Sequence, residues 1–292
     1  MKYFVLSDIH GDRPAMLKGL QQAGYNKKDS NHQIIVIGDY FGRSSRGTGS
    51  YGIFKYLTSK THKNKPICIK GNHEEMFVQP ILERGYVTPL DIQNGEDKTI
   101  KNFYLHICPT SKEMKAIERR VALEDEGCRW SEYTLRKETI AVNELGEGKK
   151  LLEWLKSMPY YYETKNYIFT HSFIPLKIDD LSYIKHMYKV DVGFLTYNDN
   201  WRNASPKEFE NSTWGCPWKL AKAGLNKTGK TIVCGHWHTA DFFNNLKNLK
   251  IKYDLYKSNP IFISKKHKLI GLDACTAATN KINVLVLNED EL

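Results

Sequence analysis

Five apolar runs in this sequence end on an aspartate, an asparagine or a histidine. The first leads into SDIHGD, with Asp8 and His10 two residues apart. The second leads into GDYFGR, with Asp39 and Arg43, and the third into GNHE, with Asn72, His73 and Glu74. The fourth leads into THS, with His171, and the fifth into GHWH, with His236 and His238. Taken singly, each is an ordinary turn or a core histidine. Five of them at the same place relative to a strand form a constellation. Asp8, His10, Asp39, Asn72, His171, His236 and His238 supply oxygen and nitrogen donors and no thiolate. That set suits Mn²⁺, with Fe or Zn²⁺ as alternatives, and argues against a structural zinc, which favours cysteine. Seven ligands are too many for one ion with an open position, but two ions fit if one carboxylate bridges them. Two ions about 3.5–4 Å apart clamp the attacking and leaving oxygens of a displacement at phosphorus. Arg43 can grip phosphate oxygens as a bidentate donor. His73, next to a candidate ligand, can protonate a leaving alkoxide.

These residues need elements to position them. Short runs rich in Val, Ile and Phe predict strands at Tyr3–Leu6, Ile34–Ile37, Ile67–Ile69, Tyr167–Phe169, Ile232–Cys234, Ile261–Ile263 and Ile282–Leu287. Between the early ones, RPAMLKGLQQAG places Met16, Leu17 and Leu20 on one helical face, and YGIFKYLTS repeats the pattern more weakly. Strand–helix alternation predicts an α/β fold, in which ligands bind outside the carboxyl ends of the strands. From about residue 75 to 157 the strand signal stops. Met114, Ile117 and Val121 fall at helical spacing there, and the region reads as a helical insertion or cap in a single domain spanning 1–292. Such a cap is either a lid that shapes substrate choice or a scaffold of helices packed on the core. The stretch from Pro175 to Ser212 is irregular and rich in Tyr, Trp and Asn; Trp201, Trp214 and Trp218 read as core aromatics before groove-lining ones.

Composition narrows the function classes. The chain has 292 residues, enough for a full-sized core, and its 41% hydrophobic content is that of a globular protein. No apolar stretch approaches the roughly 20 residues that span a bilayer. The run after Met1 is too short for a signal-peptide core, so a cytoplasmic protein is expected, with no membrane partner. Six cysteines without CxxC or framework spacing read as reduced thiols. The net charge of +10 favours anionic substrates, including phosphorylated ones, but the lysines form no tract and a nucleic-acid partner is not expected.

With the motif set DxH, GD, GNHE, H and GHxH complete and in order, the sequence resembles the calcineurin-like metallophosphoesterase superfamily. The resemblance runs from the first strand to the last, with the middle insertion unmatched. It implies a four-layer α/β/β/α sandwich of two mixed sheets with helices outside. It implies that Asp8, His10 and His238 hold one metal, that Asn72, His171 and His236 hold a second, and that Asp39 bridges them. Asn72 and Arg43 would touch the substrate phosphate and His73 the leaving group, with a metal-bridging hydroxide as nucleophile. GDYFGR resembles the GDxxDRG of the branch containing serine/threonine protein phosphatases and symmetrical diadenosine-tetraphosphate hydrolases. IGLDACTAATNKINVLVLNE resembles that branch's closing strand pair, with Asp273 in the place of its aspartate. The expected activity is hydrolysis of phosphate monoesters, on a phosphoprotein or a small ester. Dinucleoside-polyphosphate or phosphodiester hydrolysis is the alternative, and a weakened, phosphate-binding regulatory protein a third reading.

Three departures qualify the resemblance. Gly42 stands where GDxxDRG has its second aspartate, which leaves His73 without the carboxylate that partners it in relatives; on that reading Gly42→Asp raises kcat. Ser44 replaces the final glycine, and an alignment with a gap would make Arg46 rather than Arg43 the phosphate ligand. The second histidine of GHWH points toward the broader, phosphodiesterase-containing families.

Overall fold

In a computed structural model of the chain, the described residues are all but 44–48, 108–109, 125–129, 146, 179–193, 248, 258 and 292, with backbone alone at 123–124, 130–133 and 291. The chain first alternates β1 (Lys2–Leu6), α1 (Arg13–Gln22), β2 (His32–Ile37), α2 (Ser50–Leu57) and β3 (Ile67–Ile69). A π-helical turn, Glu74–Val78, opens a helical stretch of α3 (Gln79–Arg84), α4 (Pro89–Gln93), α5 (Glu96–Ile107), α6 (Ser111–Glu124), α7 (Trp130–Glu144) and α8 (Glu147–Lys156). Then come β4 (Tyr161–Glu163), β5 (Tyr167–Thr170), β6 (Leu176–Ile178), β7 (Leu195–Tyr197), α9 (Pro206–Ser212), α10 (Pro217–Lys222) and β8 (Thr231–Cys234). The chain closes with α11 (Thr239–Leu246), β9 (Phe262–Ser264), β10 (Leu269–Gly271), α12 (Thr276–Thr279) and β11 (Leu285–Asn288).

Two mixed sheets carry the architecture. One has the order β11-β1-β2-β3 and the other β4-β5-β8-β10-β9. In the first, β1, β2 and β3 run parallel and β11 antiparallel. In the second, β5, β8 and β10 run parallel, with β4 and β9 antiparallel at the edges. The pleat sends successive side chains to opposite faces, and the packing follows it. Phe4, Leu6, Ile34 and Val36 face outward onto Met16 and Leu20 of α1 and Phe54 of α2. Val5, Ile35, Ile37 and Ile69 face inward and meet Phe169, Val233 and Ile270 of the second sheet. On that sheet's far side, Ile168, Ile232 and Leu269 pack against Phe209, Leu220 and Phe242 of α9, α10 and α11. The result is the four-layer α/β/β/α sandwich, with both faces of each parallel set buried, as continuous apolar strands require.

Local chemistry sets the element ends. Asp12, the last residue of SDIHGD, caps α1: its Oδ1 accepts from Ala15 N at 2.9 Å, and Pro14 occupies the first turn, where its missing N–H costs nothing. β10 is not among the apolar runs; its strand lies at the start of IGLDACTAATNKINVLVLNE, between β8 and β9. Trp201 is fully buried and Trp214 nearly so, while Trp218 is half-buried against the same core. Cys68, Cys216, Cys234 and Cys275 are free thiols; Cys108 and Cys128 lie outside the described residues. Among the described residues, no helix is long and apolar enough to cross a membrane.

Ile35 is fully buried between the sheets. Ile35→Ala should cost about 2–5 kcal/mol in urea unfolding, and a loss under about 1 kcal/mol would mean that the layer between the sheets is not the packed core described.

Candidate metal centre

Six parallel strands deliver their carboxyl ends to one edge of the sandwich. Asp8 follows β1, Asp39 follows β2, Asn72 and His73 follow β3, His171 follows β5, His236 and His238 follow β8, and Asp273 follows β10. Asp8, His10, Asp39, Asn72, His73, His171 and Asp273 are all buried, and Arg43 is exposed at the rim. Asp8, His10, Asp39, Arg43 and His236 adopt left-handed backbone, with φ of 53°, 48°, 55°, 52° and 65°. Non-glycine residues persist in that region only where their surroundings over-determine them, and here they coincide with the site. Gly38, at φ 93°, allows a close approach: a Cβ there would lie 2.6 Å from both Gly71 Cα and His171 Nδ1.

Asp39 stands at the centre. Its Oδ1 lies 3.3 Å from His171 Nε2 and its Oδ2 lies 3.7 Å from His10 Nε2 and 4.0 Å from His73 Nε2. Two groups of potential ligand atoms, Asp39–His171–His236 and His10–Asp39–His73, each fall within 4.8 Å and share this carboxylate. Asn72 Oδ1 lies 2.7 Å from His171 Nε2, and Asp8 Oδ1 lies 4.0 Å from His10 Nε2. His238 stands apart from both groups, with Nε2 at 3.9 Å from Asp273 Oδ2. Arg46 lies outside the described residues.

The donor chemistry fits divalent cations. His10 Nδ1 lies 3.0 Å from the Phe41 carbonyl and His171 Nδ1 lies 2.9 Å from the Ile37 carbonyl. A carbonyl only accepts, so Nδ1 carries the proton and Nε2 presents a lone pair to the site. At His171 that lone pair meets the Asn72 and Asp39 oxygens, three acceptors converging with no donor between them. Asn72 Nδ2 and His73 Nε2 are buried without any partner. Burial holds Asp8, Asp39, Asp273, His10, His73, His171 and His236 toward their neutral forms. It pushes the Asp8 carboxyl up to about 6, Asp39 to about 7 and Asp273 to about 7. It drives His10 down to about 3, and His73, His171 and His236 below the usual imidazole range. Bound cations would reverse the carboxyl shifts by supplying the missing counter-charge.

One residue important here escaped the sequence reading, and a second was named there without its role. The sequence leaves His73 without a carboxylate partner, and the structure corrects this: Glu96 Oε1, from the first turn of α5, lies 2.7 Å from His73 Nδ1, with both side chains fully buried. The only local signal was an acidic residue at a helix N-terminus, which ordinarily means dipole compensation. Glu74 is the other. Its Oε2 accepts from Asp39 N at 2.9 Å and Gly71 N at 3.1 Å, and its Oε1 accepts from Tyr40 N at 2.9 Å, so it ties the loops after β2 and β3 together.

A family model described as calcineurin-like phosphoesterase matches residues 1–240. No curated protein sequence matches the chain. Among solved structures, a cold-active protein-tyrosine phosphatase of a psychrophilic Shewanella species aligns at 14% identity and TM-score 0.47, covering 99% of this chain and 76% of that one. A protein serine/threonine phosphatase from Saccharomyces cerevisiae, with similarity to human phosphatase PP5, aligns at 13% identity and TM-score 0.46, covering 96% and 69%. A metallophosphoesterase from Sphaerobacter thermophilus aligns at 13% and 0.44, covering 100% and 84%.

Above pH 6.5, the ordinary histidine value, His10, His73, His171 and His236 are neutral in the folded chain and lose their remaining protons in the unfolded one, while the raised carboxyls hold theirs up to about 8, where Glu74 lies, and outweigh them. The folded chain then holds more protons than the unfolded one, so stability falls as pH rises through this window. The melting temperature of metal-free protein should drop from pH 6.5 to 8, and saturating Mn²⁺ should abolish the drop; a metal-free profile that rises with pH would contradict the buried, uncompensated cluster.

Proposed function

The chain belongs to the calcineurin-like phosphoesterase family and is a phosphoric ester hydrolase; on that premise we propose that it is a dinuclear-metal phosphatase that hydrolyses phosphate monoesters, phosphoserine and phosphothreonine peptides or small esters. The observation that carries the dinuclear reading is the Asp39 carboxylate, with one oxygen toward His171 and the other toward His10. In this reading Asp8, His10 and His238 hold one ion, Asn72, His171 and His236 hold the other, and Asp39 serves both. Bound there, the ions supply Lewis acidity and a nucleophile at neutral pH, with Mn²⁺ preferred by this oxygen and nitrogen set.

The chain's own side chains do the rest. Arg43, at the rim with its backbone N–H held by Asn94 O at 2.7 Å, binds phosphate oxygens. The unpartnered Asn72 Nδ2 donates to the same group. His73 Nε2, also unpartnered, faces the departing oxygen. The low exposure of Asn72 and His73 keeps these contacts out of water and so strengthens them. A single domain over residues 1–292 carries the activity, with the helices of about 75–157 as its cap, and works in the cytoplasm, where its free thiols stay reduced. The reading of a weakened, phosphate-binding protein rested on the missing carboxylate at Gly42; the Glu96 contact removes its motive.

Mn²⁺-loaded protein should turn over nitrophenyl phosphate and a phosphoserine peptide faster than bis-nitrophenyl phosphate or diadenosine tetraphosphate. Fast diester or dinucleotide cleavage without monoester activity would replace the phosphatase reading by the diesterase one. Asp39→Asn should lose one or both ions by elemental analysis and at least 10²-fold in kcat, as expected when a metal's charge partner is removed; normal turnover would refute a shared ligand.

A further inference from the structure

The contact between Glu96 and His73 is more than a local replacement. Glu96 opens α5 in the helical cap, while His73 follows β3 of the central sheet. The residues around Glu96 are tied to the phosphate-binding loop at two more points. Arg43 N donates to Asn94 O at 2.7 Å, and Gly42 N donates to Thr99 Oγ1 at 3.2 Å. One turn further along α5, Asn102 Oδ1 accepts from Tyr51 N of α2 at 2.9 Å. The cap therefore grips both the loop and the catalytic edge of the sheet.

Gly42 explains why the carboxylate comes from the cap. A Cβ at position 42 would lie 2.3 Å from Glu96 Oε1 and 2.4 Å from His73 Nδ1, and φ there is 73°. No side chain at 42 can share that space with Glu96. The absence of a side chain at 42 and the presence of a carboxylate at 96 are two halves of one arrangement.

The pair is not built for packing alone. A buried carboxylate–imidazole pair is a poor source of stability, and a purely structural pair would be satisfied at both ends. Here the Glu96 carboxylate also has Thr99 beside it, but His73 Nε2 is buried without a hydrogen-bond partner. The free Nε2 lies 4.0 Å from Asp39 Oδ2, and the His73 ring meets the His10 ring edge-on at 5.1 Å.

We propose that Glu96 is a positioning residue for the phosphatase reaction: it fixes the His73 ring so that Nε2 meets the departing oxygen, which makes docking of the cap a condition of turnover. The inference rests on the proposed phosphatase reading. In the step concerned, water oxygen bonds to phosphorus, the phosphorus–oxygen bond to the alcohol breaks, and the alcohol leaves with a proton passed through Nε2. The water consumed supplies that proton in return, so no further reactant is needed.

The test compares leaving groups in the full, Mn²⁺-loaded chain. Glu96→Gln is nearly isosteric and keeps the ion content. Its kcat on a phosphoserine peptide, whose alkoxide must be protonated, should fall on the order of 10²-fold, the usual scale of acid–base assistance. Its kcat on nitrophenyl phosphate, whose phenolate leaves unaided, should change little, and KM for both should hold. Gly42→Asp should lower activity, because its Cβ would collide with both Glu96 and the His73 ring. Equal losses on both substrates, or no loss on either, would overturn the positioning role. A wild-type chain inert on every ester would instead overturn the phosphatase reading itself.

Discussion

Everything at the catalytic edge depends on one buried carboxylate. Glu74 accepts hydrogen bonds from the backbone N–H groups of Asp39, Tyr40 and Gly71, and so clamps the turn after β2 to the turn after β3. Asp39 can then keep its left-handed backbone, and its Oδ1 accepts from His73 N at 3.1 Å. The cost is burial of a charge, which raises Glu74 to about 8, while the three N–H donors pull the other way. A π-helical turn begins at this same residue, and such turns concentrate at functional sites because the widened ladder re-aims side chains. The clamp thus links the central sheet, the shared carboxylate and the start of the cap.

The two-sheet architecture supplies the remaining geometry. Parallel strands point their carboxyl ends the same way, and two such sets packed face to face place six strand ends along one edge. The polar groups delivered there leave water only partly compensated by one another: His10 Nε2 stays 3.7–4.0 Å from the Asp39 and Asp8 oxygens, and His73 Nε2 stays 4.0 Å from Asp39. The inter-sheet layer of Val5, Ile35, Ile37, Phe169 and Val233 provides the rigidity that keeps this unfavourable arrangement from collapsing.

The cap serves more than one purpose. Its own core of Ile117, Val121, Ile140 and Ala141 packs α6 against α7, as a scaffold would. Its first helices also reach the catalytic edge, where Asn94, Glu96 and Thr99 touch the loop carrying Gly42 and Arg43. The same helices support one another and the edge of the site.

Much of the fold was legible because it rests on local pattern. Short β-branched runs with both faces buried marked β1, β2, β3, β5 and β8, and the polar residues just past their ends marked the site, since strand direction alone carries them to a common edge. β10 did not stand out as an apolar run, and only the resemblance of IGLDACTAATNKINVLVLNE to a closing strand pair pointed to it. The partner of His73 was not legible either: Gly42 read as a loss, when the missing side chain makes room for Glu96. The amino-acid sequence by itself determined which residues could bind cations and which strands carry them. Only the tertiary structure decided which carboxylate stands behind His73, because α5 reaches that site through packing of the cap, and no spacing along the chain encodes a contact between residue 73 and residue 96.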